Sequence, residues 1–410
     1  MQNASRKIRA VASLVALLAV SGCEVFPEVP SVDCADDAYV VGVPGQFSVQ
    51  ELTVEWDVEQ ANFVSRREML RFALPEDLVG AVFTLDDPGA TPAYYDTFLD
   101  GRLMTSIADD PGTAQLSKGV GAWSNTVSVS VPSNAKTMPR NGRCLELDPL
   151  SLGGRLEDGA TLTVSSVRRP LRQLGTTFDV QVRILDDAIL TEELIALAPR
   201  IRQVFQNAGP NAPLPRLMDE ALVWTSVDGT GSVVVDSEMA PGELYYELAS
   251  AEMEGLERGV NIIFVSELLL ESIDDDLTLL GLAGGIPAAP FDGTGASSLF
   301  ISVESHLDAN GNLLLDLMAS TIAHELGHML GLFHLTERDG VNFDPIADTP
   351  ECSLGRYDAN EDDAVGVSEC LAAGADNMMF WEAVQGAPNR LSPEQIAVLR
   401  SHPLMYVESP

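Results

Sequence analysis

Basic side chains are scarce in this sequence. Its 410 residues include 24 Lys and Arg against 61 Asp and Glu, which gives a formal net charge of -37. A surface this acidic repels nucleic acid and anionic lipid head groups, so we expect neither as a partner. The apolar content of 46% is ordinary for a globular protein, and the length suffices for two domains. We therefore expect the acidic residues to lie on the surface of a folded protein, and they do not indicate disorder.

Long apolar segments are also lacking. The run Val11–Val20 follows basic residues at positions 6, 7 and 9, and it is too short to span a bilayer. This is the pattern of a signal peptide covering residues 1–22, and Val20-Ser21-Gly22-Cys23 looks like a bacterial lipobox. We expect acylation of Cys23 and a lipid-anchored protein of the bacterial cell envelope. The alternative is an ordinary secretory signal with a chance Cys, which also exports the chain.

Histidine is rare as well, yet three of the five His lie between positions 324 and 334. The segment Leu313–Leu330 lacks Pro and has Gly only at position 327, so we expect a helix. His324 and His328 are four residues apart and therefore share one face of that helix. Their imidazole nitrogens can reach a single metal ion from there.

A third His completes the predicted site. Gly331 tolerates the left-handed conformation that ends a helix, and the resulting turn lets His334 return as a ligand. Three neutral nitrogens leave the fourth position of a tetrahedral Zn²⁺ open to water, as in a catalytic site. Glu325 is placed to take a proton from that water and not to bind the metal. The alternative is a helix whose histidines have this spacing by chance. The two other histidines, His306 and His402, are expected to be bystanders.

Cysteine is limited to five residues. If Cys23 is acylated, four remain, and an even number in an exported chain favours two disulfides. The local choice pairs Cys34 with Cys144 and Cys352 with Cys370. In the alternative, Cys34 or Cys144 is a free thiolate that occupies the open zinc position in a latent form.

Residues 23–170 are expected to form a β-rich, sandwich-like domain. Apolar and polar residues alternate around Trp56, Val129 and Val164, and turns with Gly or Pro separate these strands. The region has no His and no catalytic cluster. It could be a pro-segment, a substrate-binding accessory or a spacer from the membrane. We place its boundary within Ser166–Gly175.

Residues 171–410 are expected to form a catalytic domain of mixed α/β class. Phe178–Ile184 alternates as a half-buried strand, and a helix follows that Pro199 should kink or end early. Val260–Val265 is apolar enough for the centre of a sheet, whereas Ser298–Val303 is expected at an edge. Ser392 predicts a capped final helix. This order fits a twisted sheet that backs the helix carrying the metal ligands.

The pattern from His324 to His334 resembles the zinc motif of the metzincin metallopeptidases. The pappalysin-like family within that group is most similar, on the following features: Asp348-Thr349-Pro350 before Cys352, Asn377 before Met379, and Ser392-Pro393 before Gln395. The resemblance implies a metzincin-like fold and a zinc endopeptidase acting on protein or peptide substrates. It implies that His324, His328 and His334 bind zinc, that Glu325 is the general base, and that Met379 lies in a turn beneath the metal. It also implies Ca²⁺ sites in the acidic loops.

Two positions depart from the family. Trp381 stands where the family tends to have Tyr, and an indole N–H can donate a hydrogen bond but can neither bind zinc nor act as an acid. We expect Trp381 to lie toward the cleft. Leu335 follows the third His, where the family usually has a hydroxyl. The competing class is a lipid-anchored surface binding protein with a degenerate, inactive zinc site, although such decay would most readily remove Glu325.

Overall fold

The computed structural model describes residue 34 and residues 37–407, except 57, 61–62, 67, 88–90, 107–125, 138–142, 153–158, 225–230, 236–246, 252, 254–255, 257, 271–278, 292–293, 295, 384–385 and 387. The signal peptide at 1–22 and the acylation site Cys23 lie outside the described residues and stay predictions. No described helix is both long and apolar enough to cross a membrane.

The first half of the chain consists of strands, and we call Tyr39–Arg168 the β-region. Its strands are β1 (Tyr39–Val40), β2 (Phe47–Val54), β3 (Val58–Gln60), β4 (Phe63–Ser65), β5 (Leu70–Leu74), β6 (Leu78–Asp86), β7 (Thr91–Leu99), β8 (Arg102–Ser106), β9 (Thr126–Val131), β10 (Arg143–Leu152) and β11 (Ala160–Arg168).

Two sheets of the β-region share one core. Strands β1, β5, β10, β4 and β3 lie side by side in that order, and β7 pairs with both β10 and β8. The second sheet has the order β2-β11-β6-β9. Phe72 of the first sheet meets Phe83 of the second edge to face, with ring centroids 5.0 Å apart. Because alternate residues of each strand point into this shared core, the β-region packs as a sandwich.

The second half of the chain mixes strands and helices. They are β12 (Thr177–Leu185), α1 (Thr191–Ala208), β13 (Leu214–Trp224), β14 (Ser232–Val235), β15 (Val260–Val265), β16 (Glu267–Leu270), β17 (Gly281–Ala283), β18 (Ser298–Ser302), α2 (Leu315–Met329), α3 (Leu354–Tyr357) and α4 (Pro393–Ser401).

A five-stranded sheet organises this half. Its order is β13-β12-β15-β18-β17, and all neighbours are parallel except β17 with β18. Apolar residues on one face of the sheet pack with α1 and α2, as Phe178 does against Phe205. A second apolar cluster, with Ile263 and Phe300, covers the other face. Parallel strands covered on both faces are typical of α/β proteins, so the expected mixed α/β class is observed.

Three details differ from the sequence expectations. Ser298–Ser302 is not an edge strand, because the three-residue strand β17 pairs outside it. Helix α1 continues past Pro199 to Ala208, since Ile201 and Phe205 beyond the proline are buried in the core. Strand β12 is buried along its whole length and not on one face only. Within this buried strand the carboxylate of Asp179 is paired with Arg216.

The cysteines are paired as the sequence favoured. Disulfides join Cys34 to Cys144 and Cys352 to Cys370, with Cα–Cα distances of 5.2 and 5.7 Å. Neither Cys34 nor Cys144 is therefore free to occupy a metal site. The predicted boundary within Ser166–Gly175 contains the end of β11 and part of its connection to β12. It stays a prediction, because Val32–Pro410 forms one compact unit.

Candidate metal centre and cleft

Helix α2 carries the first two histidines, and its end brings back the third. The helix runs from Leu315 to Met329, within one or two residues of the expected bounds. Gly331 has φ +98°, and its N–H donates to the carbonyl of His328 at 2.8 Å. The N–H of Leu332 then donates to the carbonyl of Gly327 at 2.9 Å. These bonds form a helix-ending turn with a left-handed glycine, and the turn directs His334 back to the helix.

The three imidazoles converge on one point. Nε2 of His334 lies 3.0 Å from Nε2 of His324 and 3.1 Å from Nε2 of His328. Among the residues that the structure describes, this triad is the one group of three or more His, Cys, Asp or Glu side chains placed to hold a metal ion. Within the described part of the chain the acidic loops form no such group, so calcium is not supported.

Each imidazole is oriented by its other nitrogen. Nδ1 of His324 lies 2.7 Å from the carbonyl of Met378, and Nδ1 of His328 lies 2.7 Å from the carbonyl of Leu332. Nδ1 of His334 lies 2.9 Å from Oε2 of Glu337. Carbonyl and carboxylate oxygens only accept hydrogen bonds, so Nδ1 carries the proton in all three rings.

Because Nδ1 carries the proton, Nε2 of each ring is free to bind a metal ion. In a neutral ring whose Nδ1 is protonated, Nε2 has a lone pair and no hydrogen. The lone pair of His334 therefore faces those of His324 and His328 at 3.0 and 3.1 Å, where no hydrogen bond can relieve the repulsion. A cation bound between the three nitrogens removes the repulsion between their lone pairs. Three neutral imidazoles are a donor set that suits Zn²⁺. The residues present thus fit the metal that the sequence predicted.

Burial keeps the first two rings neutral. It lowers the pKa of His324 to about 3 and that of His328 well below its ordinary value, and the neighbouring histidines add to both effects. Protons therefore compete weakly for these two ligands at neutral pH.

Glu325 lies beside the triad with its side chain almost fully buried. Burial raises the pKa of its carboxyl to about 7, whereas the electrostatic influence of the nearby His334 and a backbone hydrogen bond with Ala283 oppose the rise. Strand β17 approaches closely here, because a Cβ on Gly281 would lie 2.9 Å from Cγ of Glu325. A carboxyl with a pKa near neutrality can both accept and return a proton. Glu325 thus has the environment of a general base.

Met379 lies directly beneath helix α2. It is fully buried, and its sulfur fills the space beside Gly327. The turn that carries it is fixed by Asn377, whose Oδ1 accepts the N–H of Met379 at 2.8 Å and whose amide nitrogen donates to Gln395 at 2.9 Å. Ser392 and Gln395 form the expected capping box at the start of α4. The preceding carbonyl, of Met378, is the one that orients His324.

The site opens into a cleft of about 940 Å³. Its apolar lining residues are Leu279, Leu280, Leu282, Ile286 and Phe333. Charged residues line the cleft as well, namely Glu337, Arg338, Asp339 and Glu382. Trp381 also lines it, as expected, but its indole N–H donates to the carbonyl of Val365 at 2.7 Å. Since that donor is already used inside the protein, Trp381 offers the cleft its ring and not its N–H.

The chain was also compared with known proteins. No family model matches the chain, and no curated protein is similar to it. Solved structures show a weak similarity. Archaemetzincin from Methanopyrus kandleri is 16% identical over 40% of this chain and 79% of that chain, with a TM-score of 0.26. Metalloproteinase-II from Bacteroides fragilis is 12% identical over 56% of this chain and 54% of that one, with a TM-score of 0.29. Archaemetzincin from Archaeoglobus fulgidus, in complex with malonate, is 14% identical over 40% and 85%, with a TM-score of 0.21. At these TM-scores the similarity is too weak to establish a fold or a function for this chain.

Sequence patterns did not reveal three contributors to the site. Glu337, the partner of His334, is three residues away and could have been noticed from that spacing. Gly281 and Ala283 meet Glu325 only through the pairing of β17 with β18, for which the sequence gives no signal.

The remaining histidines lie apart from the triad. Nε2 of His306 is 3.0 Å from the hydroxyl of Thr321. His402 is buried near Arg258, and burial lowers its pKa to about 3.

Proposed function

We propose that this protein is an exported zinc-dependent endopeptidase of the metzincin type, most similar to the pappalysin-like family. The observation that carries the proposal is the set of three Nε2 atoms, each on a ring whose Nδ1 faces an acceptor oxygen, that meet beside the buried carboxyl of Glu325 in an open cleft. His324, His328 and His334 would hold the zinc ion. When bound, zinc supplies Lewis acidity, which polarises a peptide carbonyl and lowers the pKa of water.

The residues of the chain perform the proton transfers. Glu325 accepts a proton from the attacking water and later gives it to the leaving amine. Its buried position favours both steps, because a raised pKa makes the carboxylate more basic and the acid form accessible. Glu337 keeps His334 in the required tautomer. Met379 supports the ring positions from below without acting as a ligand.

The cleft supports protein or peptide substrates. It extends past the triad along β17, the last strand of its sheet in the described part of the chain, and it is open to solvent. An extended peptide can lie in such a cleft with apolar side chains against Leu280 and Leu282. A bond within a chain can therefore reach the site, which is the basis for proposing an endopeptidase.

Export and lipid anchoring through Cys23 are part of the proposal. The two disulfides support an oxidising compartment, where such bonds persist. Mass measurement of the mature N-terminal peptide tests the anchor, because acylated Cys23 adds the mass of its lipid. An unmodified N-terminus within residues 1–22 would contradict it.

The decisive test combines zinc content with turnover. Purified protein should contain about one zinc per chain and hydrolyse casein or gelatin, and a chelator should stop hydrolysis. Glu325→Gln should keep the zinc but lower turnover by about 10²–10⁴-fold, which is the range for loss of a general base. Glu192→Gln, a matched change in the exposed first turn of α1, should alter neither quantity.

Three other results would contradict parts of the proposed endopeptidase function. Zinc binding without hydrolysis of any protein substrate would favour the surface binding protein with an inactive site. Full turnover in the Glu325→Gln protein would remove Glu325 from its role. Full turnover in metal-free protein would remove zinc from the reaction.

A further inference from the structure

The side chain of Arg258 connects the β-region to the second half of the chain. The guanidinium of Arg258 lies between two rings, 4.6 Å from the ring centre of Phe47 and 4.1 Å from that of Tyr406. Phe47 begins β2, whereas Tyr406 lies near the C-terminus. Nη1 of Arg258 donates to the carbonyl of Pro403 at 2.8 Å, and the residue is only 7% exposed. A desolvated guanidinium between two aromatic faces is a strong form of cation–π contact.

The backbones of the two halves also touch. A Cβ on Gly80 of β6 would collide with the carbonyl of Ser401 at the end of α4. Arg169, which follows the β-region, donates to the carbonyl of Met405. Strand and helix ends that approach this closely leave no room for water, and the space lined by Ala81, Val131, Leu330 and Val398 is too small to hold one. Close contacts that exclude water are typical of a protein interior.

The contact lies directly behind the metal-binding turn. Leu330 and Gly331 form the turn that brings His334 to the site. A Cβ on Gly331 would lie 3.4 Å from the hydroxyl of Ser130, so β9 packs against the back of this turn. Ser130 and Leu330 are both buried. The β-region therefore restricts the outward movement of the segment that positions the third histidine.

The cleft lies elsewhere. None of the described residues of the β-region lines it; every lining residue comes from positions 279–383. A segment that keeps a peptidase latent by blocking its site must reach that site, and the described part of the β-region does not.

We propose that the β-region is a permanent part of the active protein, held by Arg258 and supporting the turn of His334 from behind, and is not a removable pro-segment. The role of the turn in activity rests on the proposed function. The docking itself does not, so the two can fail independently.

Cleavage of the connection tests the proposal. Leu171 is fully exposed, and a recognition site for a specific protease can be inserted after it. No described disulfide joins the two sides, since Cys34–Cys144 lies before the insertion and Cys352–Cys370 after it. After cleavage, the two fragments should elute together from a size-exclusion column, keep their zinc and keep their turnover. Denaturing urea should separate them, which shows that cleavage was complete.

Separation of the fragments in native buffer would overturn the proposal whether or not the second fragment is active. Two variants test the role of Arg258 in the cleaved protein. Arg258→Met, and the milder Phe47→Leu if the first does not fold, should lower the urea concentration at which the fragments separate. Arg200→Met removes a more exposed arginine of the same half and should leave that concentration unchanged. An unchanged midpoint in Arg258→Met, or in Phe47→Leu where it replaces it, would contradict the role of Arg258.

Discussion

Gly327 in helix α2 lies so close to Met379 that a Cβ on residue 327 would collide with the methionine sulfur. The pair explains why a glycine stands inside a helix that holds two metal ligands. Glycine costs helix stability of about 1 kcal/mol relative to alanine. Here the missing side chain is the space that Met379 occupies.

Gly327→Ala should therefore destabilise the protein in the presence of Met379, by about 1–3 kcal/mol for overpacking less the gain in helix propensity. In a Met379→Ala background the same change should be neutral or stabilising. Urea unfolding of the four proteins measures this coupling. Equal effects of Gly327→Ala in both backgrounds would show that the contact is not energetically important.

Met379→Leu is the conservative counterpart. Because it nearly conserves volume, it should cost at most about 1.5 kcal/mol and retain the zinc. A charged replacement such as Met379→Glu should not be tolerated at this fully buried position. Loss of zinc in Met379→Leu would instead indicate that the sulfur interacts directly with the metal.

Trp381 holds the disulfide-bonded loop at the rim of the cleft through its bond to the carbonyl of Val365. Trp381→Phe removes that bond, worth about 1 kcal/mol, but keeps a ring at the cleft. We expect unchanged zinc content and a change in KM larger than that in kcat. Trp381→Ala should alter peptide preference further. Loss of zinc in either variant, or abolished turnover in Trp381→Phe, would require a direct role for the indole in the reaction.

Asp344 is buried, and burial raises the pKa of its carboxyl to about 7, although Thr349 donates to it at 2.7 Å. A carboxyl whose folded pKa exceeds its unfolded value contributes stability that is fully present below the unfolded pKa, near 3.8, and is lost as pH rises through about 7. Relative to Asp344→Asn, the natural protein should therefore be more stable at pH 5 than at pH 8, by an amount on the order of a few kcal/mol. Urea unfolding of both proteins at both pH values checks the sign. A difference that does not vary with pH would contradict a raised pKa.

The bond between Cys352 and Cys370 closes a loop with a sequence separation of 18. In the chain-entropy model such a loop gains roughly 3 kcal/mol of stability. Replacing both cysteines by serine should lower the free energy of unfolding by about that amount and loosen the loop that carries Val365. Mass mapping of exported protein should recover the linked peptides. Free thiols at both positions would refute the pairing.

The metal site was the most predictable part of the molecule, because its ligands lie within eleven consecutive residues. Helical spacing and one left-handed glycine are enough to bring His324, His328 and His334 together. Long-range pairing was much less predictable. Strand β17 has only three residues, so its place outside β18, and the contact of Gly281 with Glu325, depend on packing that no local pattern encodes.

Helix α1 also shows that packing can override a local sequence signal. Pro199 removes one helical hydrogen bond, and local rules therefore predict a kink or an early end. Burial of Ile201 and Phe205 against the sheet outweighs that loss. The docking of the β-region could not be foreseen either, since Phe47, Arg258 and Tyr406 are far apart in sequence and none belongs to a motif.

The oxygens that hold the three imidazoles have a kinetic consequence. Met378, Leu332 and Glu337 hold the rings in place against the repulsion of the facing lone pairs, so the cage should keep its shape when the ion leaves. Small zinc fingers must refold around each arriving ion, whereas this preorganised cage needs only an encounter. Protein that folds without the ion would therefore be able to load its metal afterwards, at a rate set by metal supply and not by refolding.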